Sequence, residues 1–94
     1  MNRLTEDTRL RLAGKNVWSE LGDDVVILDL ASSSYLGLDG VGAAVWAALA
    51  EPCTVGELEA RLAAGYEVDP AVLGRDLRSF LSDLVDRGLV VLDE

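Results

Sequence analysis

Cys53 is the single cysteine of the sequence, and there is no histidine. A thiol becomes a nucleophile when a neighbouring base or a helix N-terminus favours the thiolate. Cys53 lies between Pro52 and the helix start Thr54-Val55-Gly56-Glu57, which is expected to lower its pKa slightly. No imidazole is present to act as its general base, so Cys53 reads as a small buried or partly buried residue. One cysteine also excludes an internal disulfide, and a zinc site of the usual kind lacks its ligands. Asp83 and Asp86 sit three apart on a helical stretch, where solvated acids beside an apolar stripe account for them without a metal. Gly37, Gly40 and Gly42 form G-x-x-G-x-G, but no lysine follows and the strand before them is short, so they make no phosphate cradle. No residue set supports catalysis, and no cofactor is expected.

Charge narrows the choice of partner. The 94 residues carry 17 Asp and Glu against 8 Lys and Arg, a formal charge of −9. Between Asn16 and Ala60 there is no basic residue, while Glu20, Asp23, Asp24, Asp29, Asp39, Glu51, Glu57 and Glu59 fall in that window. The cations cluster elsewhere: Arg3, Arg9, Arg11 and Lys15 near the start, then Arg61, Arg75, Arg78 and Arg87. Such a distribution leaves the middle of the domain without a phosphate-binding face. No apolar run reaches the roughly eighteen residues of a membrane span, and MNRLTEDTRLRL lacks the apolar core of a signal peptide. A cytoplasmic protein that binds neither membrane nor nucleic acid is expected.

A chain of this length supports one domain with a thin core. Residues 1–13 are expected to form an arm or an irregular strand, and residues 14–92 the folded domain. Asn16–Leu21 and Asp24–Leu30 are β-rich runs across a Gly22-Asp23 turn, which predicts an antiparallel hairpin. Ala31-Ser32-Ser33-Ser34 supplies a second turn, and Tyr35–Leu38 a third short strand. The period then changes. Val41, Val45, Trp46 and Leu49 recur at helical spacing, with Asp39 as the expected cap and Pro52 beyond the end. Thr54-Val55-Gly56-Glu57 matches a capping box, Leu58 and Leu62 follow on one face, and Gly65 closes that helix. Asp69-Pro70 opens the longest helix, 69–87, which Gly88 stops. Leu89–Leu92 suits a short terminal strand. The predicted fold class is α+β and winged helix-turn-helix-like: a three-stranded antiparallel sheet followed by three helices.

Binding functions are left. A winged-helix DNA reader needs cations on its later helices and wing; here Arg75, Arg78 and Arg87 are interleaved with Asp76, Asp83 and Asp86, and the hairpin is acidic. An acyl carrier protein would be all-helical with an Asp-Ser-Leu attachment motif, whereas Ser33-Ser34-Tyr35 lies in β-like sequence. In a simple meander, Tyr35–Leu38 is an edge strand with unpaired backbone groups, able to accept an extended peptide. Val72, Leu73, Leu77, Phe80, Leu81 and Leu84 cover a broader arc than one core stripe, so some can line a groove beside that edge.

The order and spacing of Val26–Leu30, Ser34–Gly42, Val45-Trp46, Thr54–Leu58, Tyr66 and Phe80–Val90 resemble the PqqD-like family over about residues 15–92. Asp39 stands where that family usually has asparagine, a change that keeps the capping role. The resemblance implies a RiPP recognition element, a domain that binds the leader of a ribosomally made precursor peptide, similar to the freestanding B1-type proteins of lasso peptide biosynthesis. It implies a leader strand paired with the backbones of Ser34, Tyr35, Leu36, Gly37 and Leu38. It also implies contacts from Leu73, Asp76, Leu77, Phe80, Leu81 and Leu84 of the last helix. Gly37, without a side chain, leaves room for an approaching strand or simply marks a bend. Arg75 and Arg78 either pair with acidic leader residues or stay solvated. The lasso resemblance further implies a leader tyrosine and proline in a Y-x-x-P arrangement. Its implied partner enzymes are a transglutaminase-like (B2-type) cysteine protease and an ATP-dependent macrolactam synthetase. Trp46 is expected in the core, and Trp18 either on the helices or against the protease. A precursor-binding subunit of quinone cofactor synthesis or of another peptide pathway, and a winged-helix transcription regulator, stay open as alternatives; so does the oligomeric state.

Overall fold

The computed structural model describes residues 4–14, 16–30, 32–67 and 69–93; Arg3, Lys15 and Ala31 of the sequence reading lie outside them. The elements run β1 (Arg9–Leu12), β2 (Asn16–Leu21), β3 (Asp24–Asp29), β4 (Ser34–Leu38), α1 (Gly40–Ala48), β5 (Cys53–Thr54), α2 (Val55–Gly65), α3 (Pro70–Asp86) and β6 (Val90–Leu92). The fold is α+β, with the expected meander β2-β3-β4 and the three helices after it. A second three-stranded sheet, β5-β1-β6, joins the N-terminal strand to the short terminal strand and to the residues before α2.

Local chemistry sets the ends of these elements. Gly22 turns the β2–β3 hairpin with φ 66°, and Leu21 pairs with Asp24 across a two-residue loop. Between β3 and β4 the Ser32 hydroxyl reaches Asp29 Oδ2 at 3.0 Å and Ser34 Oγ at 2.6 Å, while Ser33 takes φ 56°. Asp39 holds the N-cap position of α1 but makes no side-chain cap bond, contrary to expectation. Gly40, at φ 52°, swings the chain into the helix, and the Asp39 carbonyl instead accepts from the Ala43 amide at 3.3 Å.

The α2 capping box is complete: the Glu57 amide donates to Thr54 Oγ1 at 3.1 Å and the Thr54 amide to Glu57 Oε1 at 2.9 Å. Hydrogen bonding from Thr54, its backbone amide foremost, holds the Glu57 carboxyl below its ordinary pKa. Asp69 Oδ1 accepts from the Ala71 amide at 2.9 Å at the start of α3. At its end Gly88, φ 75°, donates to the Val85 carbonyl and Leu89 to that of Leu84, both at 3.0 Å, the paired bonds of a Schellman stop.

One core serves both sheets and all three helices. Leu10, Ile27, Trp46, Leu49, Leu58, Leu81, Leu84, Leu89 and Val90 are fully enclosed in it. Trp46 is core, as expected, and Trp18 of β2 meets it edge-on with ring centroids 6.1 Å apart. That contact fixes the inward face of the meander, which carries Trp18, Ile27 and Leu36 in cross-strand register. Cys53 is buried, and burial pushes its thiol pKa up rather than down, so the slight lowering expected from the α2 terminus is overridden.

Candidate functional site

β4 pairs with β3 on one side, and no described strand pairs with its other side. The backbone donors and acceptors of alternate residues along these five therefore face solvent at an edge. Alternation assigns the side chains: Leu36 and Leu38 turn inward and pack on the core, whereas Tyr35, 75% exposed, and Gly37 turn outward. A Cβ built on Gly37 would meet nothing within 4 Å, so glycine is not forced there by crowding, and the space above it is open.

At the C-terminal end of that edge lies an apolar groove between α1 and α3, of about 280 Å³. From α3 come Val72, Leu73, Asp76, Leu77 and Phe80, the i, i+1, i+4, i+5, i+8 positions of one helix face. From α1 come Val41, Gly42 and Val45, Leu62 of α2 completes the lining, and Asp76 is its one charged residue. Groove and strand edge are continuous, because a Cβ on Gly42 would lie 3.5 Å from Phe80 Cζ and 3.9 Å from Leu38 Cβ. β2 forms the other edge of the meander, but none of its residues lines this groove.

The sequence-derived residues divide by position. Ser34, Tyr35, Leu36, Gly37 and Leu38 form the edge; Leu73, Asp76, Leu77 and Phe80 line the groove. Leu81 and Leu84 are wholly buried in the core and do not line the groove. Arg78 turns to α2, with its Nη1 2.9 Å from Glu59 Oε1; a Cβ on Gly74 would come within 2.9 Å of that same Nη1, so glycine keeps the space open. Arg75 is solvated beside Asp76, 3.8 Å away. Sequence reasoning missed Val41 and Gly42 as groove residues. The available signal was an apolar residue in the first helical turn, three residues after the end of the edge strand; Val41 is 39% exposed.

Such an arrangement offers hydrogen bonding to an extended backbone and an apolar slot for side chains at one end of it. Among the described residues no group of three His, Cys, Asp or Glu could hold a metal ion, and no helix is long and apolar enough to cross a membrane.

Strand edge, groove and helix order together define a winged-helix-like α+β recognition fold. The profile of the family described as "Coenzyme PQQ synthesis protein D (PqqD)" matches residues 24–90, and the chain belongs to that family. The solved structure "TbiB1 in Complex with the TbiA(beta) Leader Peptide" is 35% identical, with a TM-score of 0.80, over 85% of this chain and 93% of that one. The chain is thus homologous to TbiB1. A second structure, "Lasso peptide synthetase B1 complexed with the leader peptide", is 22% identical with a TM-score of 0.76 over 87% and 96% of the two chains, a likeness of fold. No curated protein matches the chain.

Proposed function

We propose that this protein binds the leader segment of a ribosomally made precursor peptide, of the lasso type, and presents it to separate processing enzymes. The leader adds a strand to β4, and its apolar side chains enter the groove between α1 and α3. The observation that carries the reading is the continuity of an unpaired strand edge with an apolar groove at Leu38, Gly42 and Phe80. Backbone pairing supplies affinity with little sequence demand, and the groove supplies selectivity. Homology to TbiB1, whose structure holds a leader peptide, supports it.

The partners in this reading are a B2-type cysteine protease that removes the leader and an ATP-dependent synthetase that closes the macrolactam. It places the protein in the cytoplasm, where a newly translated precursor meets those enzymes. The family description favours one alternative, precursor binding in quinone cofactor synthesis.

Fluorescence anisotropy with labelled leaders separates the two. Saturable binding of a lasso leader, lost on scrambling, is the expected result. Binding of a quinone-cofactor precursor alone moves the assignment to that pathway, and binding of neither refutes leader recognition.

A further inference from the structure

The meander has a second face. An antiparallel sheet with one face on the core normally alternates apolar-in and polar-out. β3 instead reads Val25-Val26-Ile27-Leu28: Val25 and Ile27 are buried inward, and Val26 and Leu28 point outward. Outward residues in register form an apolar row across all three strands, Val17–Leu28–Tyr35. Val17 is 58% exposed and Tyr35 75%, and Leu21, 60% exposed, lies further along β2 on the same face. The next outward row, Ser19–Val26–Gly37, adds Val26 to this surface; large exposed apolar patches mark interaction sites.

The three strands themselves carry one sign of charge. No lysine or arginine occurs between Asn16 and Ala60, so nothing in the meander itself supplies a cation. At the outward Val26–Gly37 pair a hollow of about 300 Å³ is lined by Asp24 and Asp39, by those two residues and by the adjoining Val25 and Leu38. A long basic side chain matches it, with its methylenes over Val26 and its charge near the two acids. A second copy of this chain, itself at −9, suits such a surface poorly.

We propose that the outward face of β2–β3–β4 is a docking surface, distinct from the leader groove, for a protein that presents apolar side chains beside lysine or arginine. The leader peptidase of the same pathway is the partner to which we assign it. That assignment of the partner rests on the leader-binding reading; the face itself does not.

The test measures affinity for the purified leader peptidase encoded with this protein, by calorimetry, for the wild type and for Val17→Arg, Val17→Glu and Leu21→Ser, with leader affinity measured in parallel. Val17 and Leu21 lie on β2, away from the leader groove. Val17→Arg is expected to weaken peptidase binding at least tenfold and more than Val17→Glu, and Leu21→Ser by several-fold, with leader affinity within twofold throughout. Leu21→Ser carries the test should either charged variant misfold. Peptidase binding unchanged in folded variants overturns the proposal. So does a wild type that binds leader but not peptidase, or a wild-type dimer that Val17→Arg disperses. A wild type that binds peptidase through this face but no leader upholds the face and refutes the leader-binding reading.

Discussion

Replacing Val41 and Val72 together by threonine tests the groove without disturbing what lies beneath it. Both side chains line the groove, and they are 39% and 40% exposed. Full burial of a valine side chain is worth about 1.5–3 kcal/mol, so the exposed two-fifths leave about 0.6–1.2 kcal/mol at each residue for a bound peptide to gain. Threonine keeps the shape but puts a hydroxyl where the peptide would have to desolvate it, which cancels that gain. The double variant should therefore lose about 1.2–2.4 kcal/mol, a dissociation constant about 8- to 60-fold weaker. The hydroxyls can face water in the free protein, so the thermal midpoint should move little. Anisotropy titration with a labelled leader reads the affinity, and circular dichroism confirms the fold. A well-folded double variant that binds within twofold of wild type refutes the groove as the site of apolar anchoring.

Other expectations follow from the same geometry. Phe80→Ala should weaken leader binding more than Trp18→Ala, since Phe80 joins groove to strand edge whereas Trp18 packs inward on Trp46; equal affinities in folded variants would contradict this. Leu81→Ala, at a fully enclosed position, should cost about 2–5 kcal/mol of stability in denaturant titration. Leader affinity should fall only a few-fold between about 50 and 200 mM salt, against the roughly 10³–10⁵-fold loss of a protein making many phosphate contacts. The Glu57 carboxyl is held below its ordinary pKa of 4.5 by hydrogen bonds from Thr54. Its contribution to stability is thus fully present above that value and lost as pH falls through the lower folded one. Glu57→Gln should flatten that acid limb, and an unchanged slope in pH-dependent melting would contradict the cap as its source.

Elements whose signals are local could be read from the sequence. The Gly22-Asp23 turn, the Thr54–Glu57 capping box, Asp69-Pro70 and Gly88 each act on their immediate neighbours, and each sits where the sequence put it. The second sheet was less legible. Arg9–Leu12 alternates as a strand should, but its partners β5 and β6 are very short and lie far along the chain, so pairing depends on the collapsed core that encloses Leu10. Within α3 the sequence shows which residues are apolar but not which of them the core encloses. Leu81 and Phe80 look alike in pattern, yet one is enclosed and the other borders the groove. Cys53 reads as buried or partly buried and is buried; only the direction of its thiol pKa was misjudged, because the sequence shows the helix terminus but not that desolvation outweighs it.

Amide hydrogen exchange, resolved by residue in the presence and absence of saturating leader peptide, is the most direct test of strand addition at β4. The account predicts slowing by at least tenfold at outward-pointing amides within Ser34–Leu38, with those of β2 unchanged. Protection confined to β2 or to the β5-β1-β6 sheet, or β4 amides that exchange as fast with leader bound as without, would contradict it.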